Sequence, residues 1–261
     1  MSRVVILMYH IVDEPRSARE QRFCCLPRRF EAQMRFLRRS RITIMGLDEW
    51  IACRNGTTGP PERGVIVSFD DGFQDFYGNA FPVLQRYSIP AVLFVVSDLV
   101  GKSNEWMHRR GFPRREMLSW PQLRELKDGG ITIGCHTRTH PRLPEIADEP
   151  SRLADEIGGA RHVLQDALGT EVDYFAYPYG LFDDRVRSVV SEAGFKAACS
   201  VRAGFNQPDS DILSLRRLDV FGNDALWQFR QKIKFGRNAA SRLFPLRYYG
   251  RRAATRFWRD G

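Results

Sequence analysis

The chain has 261 residues, 43% hydrophobic and 27% charged, which suffices for one core of barrel or doubly wound size. Its formal net charge of +9 is carried by residues 230–261, with ten Lys or Arg against one acid, while the remainder is balanced. A neutral body argues against nucleic-acid binding by the protein as a whole, and no run approaches the ~20 apolar residues of a spanning helix.

Five cysteines (Cys24, Cys25, Cys53, Cys135, Cys199) form no CxxC pair and are odd in number, so reduced thiols are expected rather than a disulfide framework. The apolar run before Tyr9 is too short for a signal-peptide core and lacks a small-residue cleavage site. A cytoplasmic protein is expected, with contact to the inner membrane face as an option.

Val4 to Met8 reads as a buried strand ending at Tyr9-His10. Arg28 to Arg39 places Phe30, Met34 and Leu37 at helical spacing. A short strand at Ile42–Ile44 and a helix at Leu47–Ala52 precede a Gly/Pro loop at residues 55–61. The β-branched run Val65-Ile66-Val67 then leads through Ser68-Phe69 into Asp70-Asp71-Gly72. A helix is expected from Phe73 to Tyr87, a strand at Ala91–Val96, and a long loop from Gly101 to Arg115. Trp120–Lys127 reads as a helix and Ile131–Cys135 as a strand that leads into His136-Thr-Arg-Thr-His140. A helix at Ser151–Leu168, a strand at Asp173–Ala176 and the turn Tyr177-Pro178-Tyr179-Gly180 follow. A helix at Asp183–Glu192 and strands at Ala197–Val201 and Leu218–Phe221 complete the series. Alternation of strand and helix predicts parallel βαβ architecture, with chemistry at the carboxyl ends of the strands.

Asp70-Asp71, His136, His140, Tyr179 and His10 all directly follow expected strands, so they are expected to converge. Two adjacent carboxylates at a strand end need a cation, a shared proton or full solvation. Two imidazoles and a carboxylate are a common ligand set for Zn²⁺ or a similar divalent ion, which would leave the second carboxylate free as a base. The His136/His140 spacing is not that of a zinc-protease helix: Thr137 stands where that motif needs Glu, and Pro141 pushes His140 towards extended geometry. The turn around Tyr179 reads either as a packed Pro-Gly loop or as a source of a backbone N–H for an oxyanion.

Ser68-Phe-Asp-Asp-Gly72, His136-Thr-Arg-Thr-His140 and Pro178-Tyr-Gly180 resemble, in order and spacing, the first three motifs of the NodB-type polysaccharide deacetylases, carbohydrate esterase family 4. The resemblance covers roughly residues 4–220. It implies an α/β fold, a distorted (β/α)₇ barrel, and metal-dependent removal of N- or O-acetyl groups from a sugar or glycan; a lipid-linked oligosaccharide would suit membrane association through the basic tail. Asp70 matches the general base, Asp71, His136 and His140 the metal ligands, and Tyr179 the oxyanion donor.

Three departures stand out. Ala176 occupies the place where the family usually has an Arg that steadies the base, and Arg216 or Arg217 are the candidates to replace it. No histidine follows His162, so the late Leu-x-His that supplies the acid is missing, and there is no Asp-x-x-Asp-Trp. Met8-Tyr9-His10-Ile11-Val12 looks like a subgroup with an N-terminal Tyr-His at the barrel mouth, and His10 is expected to replace the missing acid. Competing functions are an amidase or deformylase on a non-polymeric amide and a non-catalytic carbohydrate-binding relic. Residues 1–225 are expected to form the barrel. Residues 226–261 form a basic, aromatic tail that would lie on an anionic membrane or pack as a helix. Trp106 and Trp120 could stack on sugar or pack, His108 reads as a solvated loop residue, and His162 as surface or packing.

Overall fold

A computed structural model describes residues 2–241. Seven parallel strands run in the order β7-β6-β5-β4-β3-β1-β8: β1 (Arg3–Tyr9), β3 (Arg63–Phe69), β4 (Ala91–Val95), β5 (Thr132–Cys135), β6 (Tyr174–Ala176), β7 (Ala197–Cys199) and β8 (Arg217–Asp219). The two-residue β2 (Thr43–Ile44) lies off this path and also pairs with β3. Leu215 closes the ring between β7 and β8: its N–H donates to Ala198 O and its carbonyl accepts from Ser200 N–H, both at 2.8 Å. This is the distorted (β/α)₇ barrel that the family resemblance implies, built on the parallel architecture expected from the alternation of strand and helix.

The two-residue period of the strands sorts their side chains between two cores. Val4 and Ile6 of β1, Ile66 of β3, Val92 and Phe94 of β4, and Ala176 of β6 belong to one cluster with Met45, Leu47 and Trp50. Val5, Leu7, Val65, Val67 and Phe69 join the cluster shared with the helices. Gly134 of β5 is required by Phe94, because a Cβ there would lie 2.5 Å from the ring.

The outer helices are α1 (Pro27–Arg39), α2 (Leu47–Arg54), α3 (Phe81–Arg86), α4 (Glu105–His108), α5 (Trp120–Asp128), α6 (Pro150–Ala154), α7 (Ala160–Leu168), α8 (Asp184–Glu192) and α9 (Leu226–Phe235). In α1, Pro27 opens the helix, Phe30, Met34 and Leu37 are buried, and Arg38 and Arg39 complement the C-terminal dipole. The helix expected from Phe73 begins only at Phe76, with a π turn to Ala80 before α3. Phe73 is instead tied to Met117 in an isolated bridge. The expected loop at 101–115 contains the one-turn helix α4.

Arg115 cross-links the loops at the carboxyl end of the barrel. Buried itself, it meets Glu20 through two nitrogens, at 2.8 and 3.0 Å, and Asp13 at 2.8 Å. Helix α9 packs on α1, with Phe229 edge-on to Phe36 and Ile233 buried. Most of the aromatic, basic segment, residues 242–261, lies outside the described residues.

Candidate active site

Strand period explains why the carboxylates face inwards. On β3, Ile66 and Ser68 point into the barrel, and Asp70 continues that row one residue past the strand. Asp71 follows with φ of +76°. Thr137, His140 and Tyr179 also have positive φ, at +68°, +62° and +58°. Only one other non-glycine residue among those described, Ser88, shares this conformation. Left-handed backbone costs about 1–3 kcal/mol at such residues and gathers where side chains must be aimed. His140 is therefore not extended, contrary to the expectation from Pro141. The Thr137 hydroxyl accepts its N–H at 3.0 Å and closes a tight loop.

Glu156, buried in the π turn Asp155–Gly159 between α6 and α7, anchors that loop. One carboxylate oxygen accepts the N–H groups of Arg138 and Thr139, each at 3.0 Å, and the other accepts the Thr139 hydroxyl. Nothing in the sequence pattern singles Glu156 out, because its partners are reached through a helical irregularity.

Asp71, His136 and His140 converge with one ligand atom of each within 4.8 Å of the others, all three buried. The Nε2 atoms of His136 and His140 stand 3.5 and 3.4 Å from Asp71 Oδ1. His136 Nδ1 lies 2.7 Å from the Ala176 carbonyl, which can only accept, so Nδ1 carries the proton and Nε2 is free to coordinate. Position 176 thus contributes its backbone and not the family's usual arginine. Burial lowers the His140 pKa to about 3 despite Asp71, so its ring is neutral, the form a ligand requires. Its Nδ1 has no hydrogen-bond partner among the described residues. Two imidazole nitrogens and a carboxylate oxygen, converging in a buried cluster, fit a divalent cation.

Burial pushes the Asp70 carboxyl up, but the Arg217 guanidinium, with help from His136, outweighs it and holds the group below its ordinary value. The pair is bidentate at 2.6 and 2.8 Å, with Arg217 fully buried. Arg217 also donates to the Ser200 carbonyl at 2.9 Å and lies over the Phe94 ring. Of the two arginines that sequence offered as replacements, Arg217 reaches Asp70. Arg216 bonds instead to the Ala203 carbonyl.

A cavity of about 390 Å³ opens above these groups. His10, Asp70, Asp71, His136, His140 and Tyr179 all line it. His10 rests edge-on against Phe23 and is close enough to help lower the pKa of both aspartates. The Tyr179 ring stands edge-on to His140, 4.7 Å between centroids. Half-buried Trp106 also lines the cavity, 5.0 Å from the His140 ring and stacked on Phe73. Trp120 packs against the helix-side core. His108 and His162 are exposed, and neither lines the cavity.

The family model described as polysaccharide deacetylase matches residues 57–198. The poly-beta-1,6-N-acetyl-D-glucosamine N-deacetylase of Staphylococcus epidermidis is 28% identical over 203 residues, 75% of this chain and 67% of that protein. Among solved structures, IcaB from Ammonifex degensii is similar with a TM-score of 0.73 at 26% identity, covering 92% of this chain and 98% of that one. The polysaccharide deacetylase BC0361 from Bacillus cereus is similar with a TM-score of 0.75 at 25% identity, covering 89% and 69%. The matched span exceeds half of the chain and contains Asp70, Asp71, His136, His140 and Tyr179, so the chain belongs to the polysaccharide deacetylase family.

Proposed function

We propose that this protein is a metal-dependent deacetylase that hydrolyses the N-acetyl group of a sugar within a glycan. One observation carries the reading: the three-residue ligand set is complete, and a second carboxylate beside it is held ionised by a buried guanidinium. A non-catalytic relic would have no use for an anion kept buried at the cost of a paired cation. The resemblance to staphylococcal poly-beta-1,6-N-acetyl-D-glucosamine N-deacetylases supports an N-acetylated glycan over a small amide.

Asp71, His136 and His140 would hold the cation, and the mixed nitrogen and oxygen donor set suits Zn²⁺. When bound, it supplies Lewis acidity to water and to the acetyl carbonyl. Asp70, ionised at neutral pH, accepts the proton of the attacking water, and Arg217 keeps its carboxylate in one orientation. Tyr179, on a left-handed turn with its ring edge-on to His140, would offer its backbone N–H to the developing oxyanion. His10, which lines the same cavity, delivers a proton to the departing amine nitrogen, a poor leaving group without one. The C–N bond breaks, acetate takes the water oxygen, and the sugar leaves with a free amine.

Acetate release from N-acetylglucosamine oligomers, before and after chelation and with Zn²⁺ added back, tests this reading. Release that vanishes on chelation and returns with metal supports it; turnover indifferent to chelation removes it.

A further inference from the structure

A second cavity, of about 250 Å³, lies at the opposite end of the barrel, where β1 and β3 begin. Arg3, Arg63, Arg230 and Lys234 line it, and no acidic side chain does. Its apolar walls include Phe36 and Phe205. Two of the guanidiniums are held against those walls, Arg3 over Phe205 at 5.6 Å and Arg230 over Phe36 at 5.1 Å. Stacking fixes the planes of these arginines while leaving their N–H forks open. No carboxylate bonds to Arg3, Arg63 or Arg230 among the described residues. The mouth chemistry makes no use of this site.

We propose that this cavity takes the phosphate of an anionic lipid and so seats the protein on a membrane surface along α9. The exposed side of α9 carries Leu226, Trp227, Arg230 and Lys234, while Phe229 and Ile233 are buried. That outer face is apolar at its start, where Leu226 and Trp227 are among the few exposed large hydrophobic side chains, and basic at its end, against the cavity. An aromatic and aliphatic edge beside a cationic pocket matches the boundary between acyl chains and headgroups. A nucleic-acid backbone would call for a longer track of cations than one pocket provides. The chain also leaves the described region beside α9, where Ser241 N–H meets Gln231, and its last twenty residues hold six Arg and five aromatics. No helix among the described residues is long and apolar enough to cross a membrane, so the contact is made along a surface.

The test is co-sedimentation of the full-length protein with phosphatidylcholine vesicles, with and without a third phosphatidylglycerol. The protein is expected to follow only the anionic vesicles. Arg63→Ala/Arg230→Ala, which alters two exposed side chains, should weaken that binding roughly thirty-fold, at ~1 kcal/mol per arginine. Acetate release from a soluble glycan should stay at the wild-type level in the same variant, which also shows that it folds. Indifference of the wild type to phosphatidylglycerol overturns the proposal, and so does equal vesicle binding by the double variant. Calorimetric binding of inorganic phosphate without vesicle binding would assign the cavity to a soluble phosphate and overturn the lipid. Vesicle binding abolished by a single-stranded oligonucleotide at equal charge would do the same in favour of nucleic acid.

Discussion

Arg217 grips Asp70 with both terminal guanidinium nitrogens, across 147 positions of sequence, with both side chains buried. The pair is the pivot between barrel and chemistry, because β8 delivers the cation and β3 the anion. Removing the cation in Arg217→Met leaves a buried carboxylate unpaired, at a cost of roughly 3–5 kcal/mol in stability. The folded pKa of Asp70 is depressed, so the pair stabilises above the ordinary value of 3.8 and its contribution is lost as pH falls through the lowered one. In Arg217→Met burial is no longer opposed by the guanidinium. Both the acid limb of kcat and the acid unfolding midpoint should therefore move to higher pH. Arg217→Lys keeps the charge but not the fork, and kcat should fall roughly 10²-fold through misplacement of the base. Unchanged pH profiles in both variants would detach Arg217 from the base.

Metal loading should depend on pH through His136. Burial lowers its pKa, but Asp71 and Asp70 outweigh that and raise it above 6.5, so the metal-free site holds a proton that a cation must displace. Titration of Zn²⁺ into chelator-stripped protein in buffers of different ionisation enthalpy should show proton release below neutrality. The same raised pKa stabilises the stripped protein fully below pH 6.5, and this contribution is lost as pH rises through the folded value. The stripped protein's Tm should fall over that window. His136→Ala should abolish both effects together with stoichiometric metal binding.

The ligands were legible because each follows a β-branched or glycine-bearing strand and carries a side chain with few structural uses beside two carboxylates. Arg217 was not. A strand read as starting at Leu218 leaves two neighbouring arginines outside it, and only the observed start at Arg217 puts that side chain in the inward row with Asp219. Glu156 and the conformation of His140 were hidden for another reason. Each depends on a local irregularity, a π turn or a left-handed residue, whose stabilisation comes from partners distant in the chain. Helix α9 was read only as an option for the tail, since its interleaved Arg and aromatic residues give no clean apolar stripe, although Phe229 and Ile233 are buried.

Asp75 offers a test of the loop scaffold apart from the chemistry. Burial, with Asp13 nearby, raises its pKa to about 7, although it accepts the Val12 N–H and faces Arg115. A carboxyl whose folded pKa is raised destabilises the fold increasingly as pH climbs from its unfolded value towards the folded one. Asp75→Asn keeps an acceptor for Val12 and removes that charge. The variant should gain Tm relative to wild type at pH 8 and gain clearly less at pH 5. A gain of equal size at both pH values would show that Asp75 is not the titrating group.

His10 remains the group whose part in the reaction most needs a direct measurement. It sits in the same cavity as Asp70 and Asp71, on the residue that follows β1, and no histidine occurs after His162 to compete for the acid's role. An amine leaving group requires a proton in the transition state, whereas an alkoxide from an O-acetyl ester requires it far less. His10→Ala should therefore reduce kcat on an N-acetylated oligosaccharide by roughly 10²–10⁴-fold while metal content stays stoichiometric. On an O-acetylated analogue the loss should be much smaller. His10→Gln keeps hydrogen-bonding capacity without a titratable proton and should behave like the alanine variant if the ring acts as an acid. Wild-type rates in the glutamine variant would instead give His10 a role in holding the substrate, and the proton would have to come from Asp70 after it has accepted one from water.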